Sequence, residues 1–123
     1  MNEKMQNKDS DKWLPESLDG PIAAPEHHKV VFENDVVRVV EFRCGPGEKV
    51  PIHSHKWPCA NYVISLSDFV SYDAGGGLKS DSRSGNTEIK EGEVFWLPAY
   101  PPPHSVENIG NGAMHGIAVE IKS

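Results

Sequence analysis

From Val30 to Ile121 the chain alternates short apolar runs with turn-forming residues, and each run is too short for a helix of ordinary length. Val36 to Cys44 is β-branched and aromatic; it follows an Asn34-Asp35 turn signal and stops at Gly45-Pro46-Gly47, which predicts a strand between two turns. Side chains alternate along a strand, so Arg38, Val40, Phe42 and Cys44 share one face, and Val37, Val39, Glu41 and Arg43 share the other. Tyr62–Ser67 and Phe69–Tyr72 predict strands on either side of a bend at Asp68. Asp73-Ala74-Gly75-Gly76-Gly77 predicts a hairpin tip, because glycine reaches the positive φ that tight turns demand. Asp81–Asn86 reads as a second polar loop, and Thr87–Lys90 leads into a turn at Glu91-Gly92. Val94-Phe95-Trp96-Leu97 is continuously apolar and predicts a strand buried on both faces, ended by Pro98, which has no N–H to give a ladder. His104–Asn108 predicts a short strand. The last strand, Ala113 to Ile121, is expected to turn His115, Ile117, Val119 and Ile121 inward and Met114, Gly116, Ala118 and Glu120 outward. No stretch longer than about eight residues carries helical periodicity with start and stop signals. The expectation is an all-β, closed antiparallel architecture.

Residues 1–28 follow neither period. They are polar, charge-mixed and punctuated by Pro15, Gly20, Pro21 and Pro25, so they read as an N-terminal arm, and 29–123 as the barrel domain. The arm's bulky apolar residues, Trp13, Leu14, Leu18 and Ile22, suit a segment folded over the barrel wall or a partner subunit. The adjacent pair His27-His28 would point opposite ways on a strand, and both are read as surface residues.

Composition narrows the classes. A chain of 123 residues with 37% hydrophobic and 24% charged positions suits one globular domain with a modest core. A net charge of −6 without a basic run argues against nucleic-acid and acidic-membrane partners. No apolar run approaches the roughly 20 residues of a membrane-spanning helix, and the N-terminus lacks the apolar core of a secretion signal. Cys44 and Cys59 are therefore expected as free thiols in a cytoplasmic protein. Carboxylate pairs of the glycosidase kind and a serine in a nucleophile-elbow context are both missing from the pattern.

Candidate chemistry gathers around Gly47 to Val63. His53 and His55 are two residues apart, so on a strand they project together and make a bidentate start to a metal site. Gly47, five residues, His53-Ser54-His55 is one motif; Gly92, five residues, Pro98, then His104, three residues and Asn108 is a second. In this order the two resemble the signature motifs of the cupin superfamily, G-x5-H-x-H-x3,4-E and G-x5-P-x-G-x2-H-x3-N, the second with one extra residue. The resemblance spans roughly Val30 to Ile121 and implies a double-stranded β-helix, or jelly-roll, barrel. Two positions depart from the family pattern. Cys59 stands where the family carries its glutamate ligand, and Tyr100 stands where the second motif carries glycine.

What the resemblance implies is a divalent metal ion held by His53, His55 and His104, with positions left for water and substrate. That is the usual plan of a catalytic rather than a structural metal. Iron is the leading ion, with nickel, zinc and manganese as others an imidazole site accepts. Cys59 is either a further, softer ligand or a small apolar residue of the wall. Trp57, Phe42 and Trp96 either line the substrate pocket or pack the wall. Arg38 is counted with the pocket as a buried cation wanting an anion, although a strand-end arginine reaching solvent is the commoner arrangement. His115 and Tyr62 are candidate acid–base groups. The function implied first is a three-histidine dioxygenase-type enzyme on a small organic substrate. The alternatives are a non-catalytic small-ligand-binding or sensing barrel and a metal-assisted isomerase or lyase. The family's habit, with the apolar wall strands, also implies a homodimer.

Overall fold

The computed structural model describes residues 15–84 and 89–122. Trp13 and Leu14 of the arm, and Gly85 to Glu88 of the second loop, lie outside the described residues. Two antiparallel sheets face each other. The five-stranded sheet runs in the order β1 (His28–Glu33), β2 (Val37–Cys44), β9 (Met114–Ile121), β4 (Cys59–Ser65), β7 (Val94–Leu97). The four-stranded sheet runs β3 (Lys49–His53), β8 (His104–Asn108), β5 (Phe69–Asp73), β6 (Leu78–Asp81). The turns fall where the punctuating residues require them. Asn34 Oδ1 accepts from the Val36 and Val37 amides at 2.9 and 2.8 Å and closes the β1–β2 connection. Asp73 Oδ1 accepts from the Gly75 and Gly77 amides at the β5–β6 tip.

The register divides the interior into two ends. β2 and β9 pair Cys44 with Met114 at one end and Arg38 with Glu120 at the other. β3 and β8 pair Val50 with Val106 at the first end and His53 with His104 at the second. The first end is the apolar core of Cys44, Val50, Phe69 and Met114, joined by Ala24 from the N-terminal segment. Asn108 braces this end: its Nδ2 donates to the Cys44 and Gly112 carbonyls at 2.9 and 2.8 Å, and its Oδ1 accepts from the Gly110 amide.

The N-terminal segment is built into this end and its neighbour. Beyond a 3₁₀ turn at Glu16–Leu18 it forms one turn of helix, α1 (Gly20–Ala23). It is tied to the strand carrying the histidines, where the Ser54 amide donates to Leu18 O at 2.7 Å and the Lys56 amide to Asp19 Oδ1 at 3.0 Å.

Three expectations are corrected by this arrangement. The inward face of β9 is the one carrying Met114 and Glu120, both buried, and not the face of His115, Ile117, Val119 and Ile121. Apolar content alone pointed the wrong way because Glu120 is neutralised inside by an arginine. Second, β7 is an edge strand with one face on solvent: Val94 is 63% and Trp96 58% exposed. Third, His28 is 6% exposed and points inward beside Phe42, its cross-strand partner, so it is no surface residue.

Candidate metal centre

Three histidines meet at the polar end. His53 and His104 are direct cross-strand partners on neighbouring strands of the same sheet, and His55 follows two residues after His53, just beyond the end of β3. One nitrogen from each of the three lies within 4.8 Å of the others. Their ring centroids are 5.1 Å (His53–His55), 4.5 Å (His53–His104) and 5.5 Å (His55–His104) apart. His53 Nδ1 donates to Pro51 O at 2.8 Å and His104 Nδ1 to Pro102 O at 3.0 Å. Each carbonyl fixes the tautomer and leaves the Nε2 lone pair for an ion. Burial, reinforced by repulsion from the neighbouring imidazoles, lowers the pKa of His53 to about 2 and of His55 to about 3. Burial also lowers that of His104. The rings are neutral near pH 7, the form in which imidazole ligates.

The motif glycines have a backbone reason. Gly47 and Gly92 both sit at φ 80°, which L side chains rarely adopt. Tyr100, at the position where the second motif carries glycine, takes φ 55° in spite of its side chain, and its amide donates to His55 O at 2.8 Å. That bond ties the loop before His104 to the backbone of a second candidate ligand.

Cys59 is buried and is not among the groups whose donor atoms cluster with the histidines. Its Sγ accepts from Asn61 Nδ2 at 3.2 Å, and burial pushes the thiol pKa up to about 11. Cys44 and Cys59 are both free thiols. Beside Cys59, across the β4–β9 pair, stands Glu120. Arg38 lies between the Glu120 carboxylate, which it contacts through Nε, and that of Asp19, 2.9 Å from Nη2. Burial opposes the charge on Arg38, but the two acids outweigh it and raise the pKa. The solvent-reaching arginine is thus corrected to a buried one with its anions inside. The sequence carried no signal for Asp19, which belongs to the N-terminal segment.

The other candidates separate. Phe42 packs against His28, with ring centroids 5.3 Å apart, on the inner side of the five-stranded sheet. Trp57 follows His55 in the loop, its ring stacked on by Arg38 at 4.7 Å and flanked by Lys56 at 4.8 Å and Lys122 at 5.2 Å. Trp96 is on the outer face of the sheet and so is not a pocket residue. Tyr62 is also on that outer face, largely exposed. His115 faces away from the histidine cluster, and its Nε2 donates to Glu41 at 2.7 Å. An open surface cleft of about 640 Å³, lined in part by Asp68, Arg83 and Asn111, contains none of the histidines.

Comparison with known proteins agrees with this architecture. No protein-family model and no curated protein sequence matches the chain. Solved structures do match. A cupin domain from Bordetella pertussis is 21% identical, covering 78% of this chain and 92% of that one, with a TM-score of 0.63. An RmlC-like cupin with a double-stranded β-helix fold from Methanocaldococcus jannaschii is 14% identical, covering 76% and 77%, with a TM-score of 0.55. The polyketide cyclase RemF from Streptomyces resistomycificus is 20% identical, covering 76% and 63%, with a TM-score of 0.51. The chain has the cupin fold, a double-stranded β-helix.

Proposed function

We propose that this chain is a small metal-dependent enzyme of the three-histidine dioxygenase type, acting on a small organic molecule. The observation that carries the reading is the cluster of His53, His55 and His104, drawn from two strands and one loop, with no carboxylate among the clustered donors. Three neutral imidazoles leave the full charge of a divalent ion uncompensated, which suits an anionic, chelating substrate. When bound, the ion supplies Lewis acidity and, as iron, electrons for dioxygen chemistry. The chain's residues do the rest. Pro51 O and Pro102 O orient the ligand rings, while Trp57 shields the mouth beside His55. Nickel, zinc and manganese fit the same donors, and iron is the ion the dioxygenase reading requires.

Against the isomerase or lyase alternative, His115 and Tyr62, two of its candidate bases, face away from the cluster. A ligand-binding barrel without turnover is separated from an oxygenase by experiment. Protein purified without a histidine tag is analysed for metal, then reloaded with ferrous iron and assayed for oxygen uptake on a panel of thiols and diketones. Stoichiometric metal and substrate-dependent uptake support the enzyme; metal without uptake on any member favours the binding barrel. We also propose a cytoplasmic homodimer joined through the outer face of the five-stranded sheet, where Tyr62, Ile64, Val94 and Trp96 are exposed. Sedimentation at micromolar concentration should show the dimer, and a monomer there would overturn it. No helix among the described residues is long and apolar enough to cross a membrane.

A further inference from the structure

We infer that His28 is a fourth imidazole donor to the metal site, delivered by the start of β1 and held in place by the N-terminal segment. The inference rests on the three-histidine reading above and adds a residue that lies outside both motifs. His28 is buried, and its ring centroid lies 4.6 Å from that of His53 and 6.0 Å from that of His55. Two imidazoles on one ion, each about 2.1 Å from it, have centroids about 4.5 to 6.5 Å apart from neighbouring to opposite positions. Both His28 distances fall within that range.

The ring is also oriented as a ligand is. Its Nδ1 donates to Ala24 O at 3.1 Å, the arrangement His53 makes with Pro51 O and His104 with Pro102 O. A backbone carbonyl on one ring nitrogen leaves the lone pair of the other for a metal. Among the described residues Nε2 makes no hydrogen bond, so its lone pair is available.

The N-terminal segment is shaped to this ring. A Cβ at Gly20 would meet His28 Cδ2 at 3.0 Å and Cγ and Nε2 at 3.2 Å, so glycine lets α1 lie on the ring's face without pushing the ring aside. The glutamate ligand of the family pattern has given way to Cys59, whose thiol is engaged by Asn61. A fourth donor from β1 would make good that loss with a neutral group. The nitrogens of His28 stand outside the 4.8 Å group of three, so coordination draws the histidine rings closer together.

The test uses the full chain, free of any tag, with cobalt(II) as the probe. His28→Ala should weaken cobalt binding in equilibrium dialysis by about tenfold or more and change the visible d–d spectrum, and added imidazole should restore that spectrum. A folded His28→Ala protein that binds cobalt within about twofold of the parent, with the same spectrum, would overturn the inference. So would a spectrum that changes but is not restored by imidazole, because the ring would then act through packing. Should His28→Ala fail to fold, X-ray absorption on the cobalt-loaded parent decides: four imidazoles support the inference and three overturn it. His53→Ala and His55→Ala run beside it. If they also keep cobalt, the three-histidine reading itself falls; if they lose it while His28→Ala does not, only the fourth donor falls.

Discussion

The two ends of this barrel are made from the same strands and obey different rules. At one end Cys44, Val50, Phe69 and Met114 exclude water with apolar surface. At the other, the same strands present Arg38, Glu120, His53 and His104, with Asp19 added from the N-terminal segment. The apolar end is stable because any burial there is favourable. The polar end depends on partners inside it: Arg38 has two carboxylates, and His53 and His104 each have a backbone carbonyl. One end therefore tolerates exchange of one apolar residue for another, while the other depends on particular neighbours. The chemistry lies at the end where the chain keeps polar groups buried.

The largest effect should come from taking one member out of the buried ion triad. Arg38→Met strands Asp19 and Glu120 without a counter-charge, and should cost about 3–5 kcal/mol in urea denaturation. A loss under about 1 kcal/mol would mean the polar end is held by something other than these pairs. Met114→Ala, at the apolar end, should cost about 2–4 kcal/mol and leave metal affinity unchanged. If it also releases the ion, the two ends are not separable. His53→Ala or His104→Ala should reverse that pattern, lowering metal affinity about a hundredfold, equivalent to about 2.7 kcal/mol, with little change in the stability of the apo-protein. His27→Ala should leave the ion in place, since His27 Nδ1 is engaged by Arg43 O on the other side of β1.

Acid should act first on the polar end. The folded-state pKa values of His28, His53 and His55 lie at about 4, 2 and 3, below the ordinary 6.5, chiefly because burial penalises the charged ring. The unfolded chain therefore takes up protons first as pH falls. The apo-protein should keep its full stability above pH 6.5 and lose it progressively below, and thermal melts between pH 7 and pH 4 should show the midpoint falling. Substituting His28 and His53 together by glutamine should flatten that slope. The smallest effect is expected at Cys59→Ser, about 1 kcal/mol for a buried hydroxyl in place of a thiol, with metal affinity unchanged. A sulfur-to-metal charge-transfer band in cobalt-loaded protein, lost in Cys59→Ser, would instead make Cys59 a ligand.

Much of the fold was legible because strand signals are local. The Asn34-Asp35 and Asp73–Gly77 turns, the Gly45–Gly47 stop and the Pro98 stop all act within a few residues, and each lies where the chain turns. That His53 and His104 share a site was implied by the resemblance to the cupin motifs, but their lying side by side in one sheet was a matter of strand order. Less legible was the direction of a face. Val94–Leu97 is as apolar as a doubly buried strand, yet its position at the sheet edge leaves Val94 and Trp96 on solvent. In β9 the aliphatic row faces outward and the row with glutamate faces inward, and hydropathy cannot anticipate a carboxylate neutralised by an arginine on the neighbouring strand.

The chain by itself determined where most of the turns fall and which two histidines share a side of β3 and its extension. Each of these depends on a residue and its immediate neighbours, and so is written in order along the chain. The tertiary structure alone decided that Asp19 joins Arg38 and Glu120, that Trp96 and His115 face away from the histidine cluster, and that His28 packs beside His53. Those outcomes depend on register and on a segment folding back across the barrel, where residues distant in sequence become neighbours and a side chain's partner, not its type, determines whether it is buried.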